Sequence, residues 1–267
     1  MPSLTLEDGS SIHFETHGFD AENPAVVFLN GMSQTTQHWT SHARSLREHY
    51  RVVTYDALGQ GKSDVPNEAP TIERHADDLL AILDELDLER VCLVGFSHGA
   101  RVALGFAALH PDRVSGLALV SATARPTALA RTIVRSWSEV LELGGLAAMA
   151  WSALPTILGT EFLEKNERLL SNIINASVQR NSPEGVRMLL EGLTNFPNLD
   201  ELATRVRAPT LVIAGDQDLL VEPEGARKLA SLCGGEYLEI VNTGHTIPIE
   251  RPKEFREMVV DFLNRLP

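Results

Sequence analysis

Short apolar runs punctuate the chain, and the pattern between them changes from strand-like to helical. Residues 4–6 and 12–15 flank Asp8-Gly9. Such a pair accepts the positive backbone φ of a tight turn, so the N-terminus is predicted as a β-hairpin. Six further runs cover residues 25–29, 52–55, 91–94, 117–120, 210–213 and 237–240. They are mostly apolar without alternation, the pattern of strands covered on both faces. Between them, Ile72, Ala76, Leu79, Leu80, Leu83 and Leu86 fall at helical spacing, and residues 226–232 and 255–266 read alike. Pro252 suits a first helical turn. Strands alternating with helices imply parallel pairing through right-handed crossovers, so the predicted class is α/β.

The rhythm breaks from Ala122 to Leu202. No strand is predicted there, and a helical pattern is punctuated by Gly144-Gly145, Pro155, Pro183 and Pro197. The expected organisation is a core domain of residues 1–121 and 203–267 carrying a helical cap insertion of residues 122–202. The insertion holds Trp137 and Trp151, and its basic and acidic residues nearly cancel.

Composition narrows the function classes. A chain of 267 residues with 43% hydrophobic and 22% charged residues is ordinary globular material, long enough for a sizeable core. The formal charge of -13 repels phosphate backbones and anionic lipid, which disfavours nucleic acid and membrane surfaces as partners. Cys92 and Cys233 form neither a disulfide framework nor a metal-site spacing. The nine histidines are scattered without an H-E-x-x-H pattern, so neither metal nor cofactor is expected. No run reaches the ~18 apolar residues of a membrane helix. Residues 1–7 lack the basic-then-apolar build of a signal peptide, and the expected location is the cytoplasm.

The strongest chemical signal is Gly95-Phe96-Ser97-His98-Gly99, which follows the apolar strand of residues 91–94 and opens an Ala-rich helix. A strand-to-helix turn this sharp lifts the serine oxygen to the carboxyl ends of the strands, and flanking glycines relieve the crowding. At this point the chain resembles the α/β-hydrolase superfamily, whose fold is a mostly parallel eight-stranded sheet. That resemblance implies a nucleophile, an acid and a histidine in that chain order. Ser97 takes the first role. His245, in Asn242-Thr243-Gly244-His245-Thr246, is the one histidine after His110. The family's G-x-x-D pattern after the following strand selects Asp218 from Gly215-Asp216-Gln217-Asp218, with Asp216 as competitor. The backbone N–H groups of Met32 and His98 are the implied oxyanion donors, and the His98 side chain is expected to be structural.

Family members commonly carry His-Gly where this chain has Asn30-Gly31-Met32, and the Asn30 side chain could order that loop by hydrogen bonding. Asp56-Ala57-Leu58-Gly59-Gln60-Gly61-Lys62-Ser63 resembles the superfamily's D-x-x-G-x-G-x-S loop, a structural turn. Asn30, Gly31, Trp39, Trp137 and Trp151 are the expected substrate-binding positions. A serine at the elbow argues against haloalkane dehalogenases and epoxide hydrolases, which use an aspartate there. The expected activity is hydrolysis of a small to medium carboxylic ester or lactone, and the near-neutral insertion favours an uncharged acyl group. Two alternatives stand beside it. The run from Asn30 to Trp39 resembles the N-G-x-x-x-T-T loop of bacterial acyltransferases that join hydroxyacyl groups for rhamnolipid synthesis. A non-catalytic ligand receptor could also keep this scaffold.

Overall fold

Strands that are apolar at every position need cover on both faces, and the computed structural model, which describes residues 2–267, supplies it. The strands are β1 (Ser3–Thr5), β2 (Ser11–His17), β3 (Ala25–Leu29), β4 (Arg51–Tyr55), β5 (Val91–Phe96), β6 (Val114–Val120), β7 (Thr210–Gly215) and β8 (Glu236–Ile240). They form one sheet in the order β1-β2-β4-β3-β5-β6-β7-β8. The pairs β1–β2 and β2–β4 are antiparallel, and the remainder of the sheet is parallel. Gly9 takes φ 86° in the hairpin loop, as the Asp8-Gly9 pair predicted.

Along β3, Ala25, Val27 and Leu29 point into one apolar cluster while Val26 and Phe28 point into another. The first cluster lies under α2 (Ile72–Glu85), α3 (His98–Leu109), α8 (Asp200–Thr204) and α9 (Pro223–Leu232). The second lies under α1 (Thr36–Leu46) and α11 (Pro252–Asn264), with the short α10 (Ile247–Glu250) leading into the latter. Helix α2 starts where predicted: the Thr71 hydroxyl accepts from the Arg74 amide, occupying one of the otherwise unpaired first-turn donors.

Between β6 and β7 no strand forms. This segment folds as α4 (Ala128–Ile157), α5 (Thr160–Asn166), α6 (Leu170–Arg180) and α7 (Pro183–Asn195). Two apolar clusters of its own hold it, one around Trp137, Leu141, Met149 and Leu190, the other around Leu154, Leu170 and Ile174. The Leu199 amide donates to Ala124 O at 3.0 Å and closes the neck. Leu199 and Ala203 pack into the sheet's cluster, so α8 belongs to the packing of the sheet rather than to the helical segment. Helix α4 is long and apolar enough to cross a membrane. It is broken at Gly145 (φ 75°, ψ -178°), and each half falls short of the ~20 residues a span needs.

Candidate active site

Ser97 sits between β5 and α3 with φ 52° and ψ -112°, a left-handed backbone that costs a non-glycine residue of order 1–3 kcal/mol. Its neighbours explain how the strain is held. A Cβ on Gly95 would lie 2.5 Å from Ala100 Cα, and one on Gly99 would lie 2.4 Å from Leu29 O. Only glycine lets the strand and helix approach this closely. The Ser97 amide donates to Val120 O at 2.8 Å and anchors the turn to β6.

Two loops bring the partners. Asp218 follows β7 and His245 follows β8. Ser97 Oγ lies 2.7 Å from His245 Nε2, and His245 Nδ1 lies 2.7 Å from Asp218 Oδ2. Asp218 is 3% exposed, and its Oδ1 accepts from the amides of Leu220 (2.8 Å) and Val221 (2.9 Å). Asp216 is elsewhere: its Oδ1 accepts from the Thr243 amide at 3.0 Å. The arrangement can move a proton from the serine oxygen to the imidazole while a buried carboxylate fixes the ring.

Sequence reasoning missed Glu250. Its Oε2 accepts from the amides of Gly159 and Gly244, and its Oε1 from the amide and hydroxyl of Thr246. The amides of His245 and Thr246 both donate to Ile157 O, and Ser121 Oγ donates to His245 O. The His245 loop is thereby pinned between the sheet and the end of α4.

Several expected substrate-binding residues lie off the cavity. Asn30 is buried, donating through Nδ2 to Tyr55 O at 2.8 Å and accepting at Oδ1 from Trp39 Nε1 at 2.7 Å. Trp39 is 1% exposed and stacks on Phe28 with centroids 4.8 Å apart. These two satisfy each other beneath the loop, while the Gly31 amide donates to Gln34 Oε1. Trp151 is 46% exposed and lies outside the cavity lining. Trp137 does line it, as do Met32 and His98. Neither the Met32 nor the His98 amide donates to an acceptor among the described residues. The His98 ring is buried edge-on to His75 and stacked on Phe196, and burial holds its pKa well below the usual histidine value.

The Asp56 loop is a knot of hydrogen bonds. Asp56 Oδ1 accepts from the Thr36 amide and Oδ2 from the Lys62 amide, with burial raising the carboxyl pKa. Thr36 Oγ1 also donates to Glu15. The Asn30–Thr36 stretch thus shapes the loop below the site. Among the described residues no three His, Cys, Asp or Glu side chains gather as a metal site. Burial raises the thiol pKa of Cys92, and it pushes that of Cys233 up to about 12.

Ser97 and His245 open into a cavity of about 480 Å³, faced from the helical segment by Val134, Trp137, Met149, Leu154 and Ile173. Its charged lining residues are Arg101, Arg131 and Arg180, with no carboxylate among the described residues. This departs from the neutral lining expected from the charge balance of residues 122–202. Acidic side chains of that segment pair away from the cavity, Glu161 with Arg251 and Glu184 with Arg187.

Comparison with known proteins agrees with this architecture. An enol-lactonase of Burkholderia xenovorans LB400, known from its crystal structure, superposes with a TM-score of 0.90 at 28% identity, covering 99% of this chain and 100% of that one. The 3-oxoadipate enol-lactonase 1 of Acinetobacter baylyi is 27% identical over 98% of this chain and 97% of its own length. A Caulobacter sp. (strain K31) protein carrying the name carbamate hydrolase RutD is 29% identical over 99% of this chain and 98% of its own. The family model for the alpha/beta hydrolase fold matches residues 24–252, and the chain belongs to that family of hydrolases.

Proposed function

We propose that the protein is a serine hydrolase that cleaves a carboxylic ester or lactone. The observation that carries this reading is the hydrogen-bonded series Ser97 Oγ, His245, Asp218, with 2.7 Å at each link. A serine hydroxyl is a weak nucleophile until a base takes its proton. In the proposed mechanism His245 Nε2 takes that proton as Ser97 Oγ attacks the acyl carbon. Asp218 keeps the other ring proton on Nδ1 and stabilises the imidazolium. The Met32 and His98 amides receive the oxyanion of the tetrahedral intermediate. His245 then protonates the leaving alkoxide, and an acyl-enzyme remains. Water, deprotonated by the same imidazole, attacks the acyl carbon and releases the acid. In a lactone the leaving oxygen stays tethered, so the product is a single hydroxy acid.

The enol-lactonase relatives and the predominantly apolar cavity support an ester or lactone as substrate. The test is turnover of a panel of aryl esters and lactones by the native chain and by Ser97→Ala. The native chain is expected to hydrolyse members of both sets and to add one serine-directed phosphonate by intact mass, and Ser97→Ala to do neither. Undiminished turnover in Ser97→Ala would falsify the assignment. An absence of turnover with intact ligand binding would favour a receptor. Ester formation outweighing acid release, with a competing hydroxyacyl acceptor, would favour acyl transfer.

A further inference from the structure

The cavity wall holds a cation that nothing in the proposed chemistry uses. Arg101 lies on α3, one helical turn beyond Ser97, and is 7% exposed. It donates to two backbone carbonyls, Thr123 O at 3.1 Å and Pro197 O at 3.2 Å. Its guanidinium carbon stands 5.6 Å from the Phe196 ring centroid. The Nε–H is buried and has no partner among the described residues, and no carboxylate reaches the group. Carbonyl dipoles and a ring face partly solvate a guanidinium but do not neutralise it, and a buried charge without a counter-charge is costly. Burial pulls its pKa down to about 10, which leaves it cationic at neutral pH.

The surroundings carry the same sign. Arg131 and Arg180 also line the cavity. The chain has 36 acidic residues, yet none of those described lines it. The His98 imidazole, which also lines the cavity, is kept uncharged by burial. The cavity is thus a positive recess in an acidic protein, and such a recess concentrates anions. A neutral ester could offer a carbonyl oxygen as acceptor but no counter-charge. A carboxylate would supply the missing counter-charge in the paired, fork-like geometry that arginine favours.

We propose that the natural substrate is an ester or lactone that carries a free carboxylate, and that Arg101 receives it. This rests on the hydrolase reading above. Ser97 caps α3 four residues ahead of Arg101 and both line the same cavity, so one substrate can reach both with its scissile carbonyl and its carboxylate. The apolar side chains of α4 and α6 cover the hydrocarbon between them.

The test compares kcat/KM for 4-nitrophenyl hemiesters of succinic, glutaric and adipic acids with their methyl-capped diesters. A second arm compares 4-carboxyphenyl butyrate with its methyl ester, which separates an acyl-side carboxylate from an alcohol-side one. Ser97→Ala serves as the blank for spontaneous hemiester breakdown. At least one anionic ester is expected to exceed its capped partner tenfold or more. Arg101→Gln should lower that ratio at least tenfold, read on one preparation so that general loss cancels. Should Arg101→Gln fail to fold, Arg101→Lys, which keeps the charge but loses the paired donors, should lower the ratio by a smaller factor. Ratios at or below one on both arms, with the capped esters still hydrolysed, overturn the carboxylate proposal alone. Absence of all ester turnover overturns the hydrolase reading instead. Calorimetry on Ser97→Ala, which cannot turn the esters over, then decides the subsite independently: monomethyl glutarate should bind at least tenfold more tightly than dimethyl glutarate, and equal binding overturns it.

Discussion

Asp218→Asn isolates the role proposed for the buried carboxylate, because the surrounding donors dictate how an asparagine must sit. Asp218 Oδ1 accepts from the amides of Leu220 and Val221, so only the carbonyl oxygen of an asparagine is tolerated there. Its NH2 group must then face His245 Nδ1, where Asp218 Oδ2 now stands at 2.7 Å. A donor at that point forces Nδ1 to accept, which moves the ring proton to Nε2, opposite Ser97 Oγ. The imidazole then holds a proton where it has to take one. In triads of this design a wrong tautomer costs about 10⁴ in kcat, or ~5 kcal/mol of transition-state stabilisation. The same change at Asp216 keeps a carbonyl for the Thr243 amide and should cost less than about tenfold. The assay is steady-state kinetics on an aryl ester, with urea unfolding to show that both variants retain the fold. A kcat for Asp218→Asn within tenfold of the native chain, or a larger loss from Asp216→Asn, refutes the reasoning.

Acid should unfold the protein earlier than its carboxylates alone require. His42, His75 and His98 are each no more than 3% exposed. Burial lowers the first two to a pKa of about 4 and holds the third well below 6.5. Their folded pKa values are depressed, so below about pH 6.5 the unfolded chain binds more protons and stability falls with pH. The slope approaches ~1.4 kcal/mol per pH unit for each histidine, ~4 for the three. Urea midpoints at pH 7 and pH 5 check this, and equal values would refute it. Glu250→Gln should turn an NH2 either toward the Gly159 and Gly244 amides or toward the Thr246 amide, leaving at least one backbone donor unsatisfied at a cost of ~1–3 kcal/mol. A positioning role predicts a lower kcat with little change in KM and a displaced pH profile. A stability loss with kcat intact would reduce Glu250 to a structural residue.

The sheet was legible because strands covered on both faces leave continuous apolar runs, and β3 through β7 are buried along nearly their whole length. Helix α1 was not legible. Its buried face includes Thr36 and His42 beside Trp39, Ala43 and Leu46, so two of the five positions in the stripe read as polar. The tryptophans show a different limit. Residues 137 and 151 lie 14 positions apart, which on an unbroken helix places them within about 40° of one another. The break at Gly145 destroys that phase, and only Trp137 reaches the cavity. Local motifs single out Ser97, Asp218 and His245 one at a time, but their hydrogen-bonded series depends on distant anchors such as Val120 O and Ile157 O, which no local pattern announces. Glu250 is not singled out, because three of its four donors lie within six residues of it and the fourth, Gly159, is 91 positions away.

Charge is the property that counting handled least well. A sum over residues 122–202 says nothing about which face each side chain takes. Here the arginines at 131 and 180 turn toward the cavity while Glu161 and Glu184 pair elsewhere. Arg101 lies outside that segment altogether, on the helix that begins at the elbow. That placement has a consequence for specificity. The elbow that carries Ser97 runs directly into α3, which carries Arg101, so their backbones are held at a fixed separation, and Thr123 O, Pro197 O and the Phe196 ring hold the guanidinium. Changes in α4 and α6 should therefore alter which hydrocarbon fits, and leave the separation between scissile carbonyl and carboxylate as it is. A chimera with a foreign helical segment grafted between Thr127 and Phe196, which leaves Thr123 O, Pro197 O and the Phe196 ring against Arg101, should accept a different bulk in the middle of the substrate while keeping the same preferred hemiester chain length. A shift in that preferred length would mean that the helical segment, and not α3, sets the ruler.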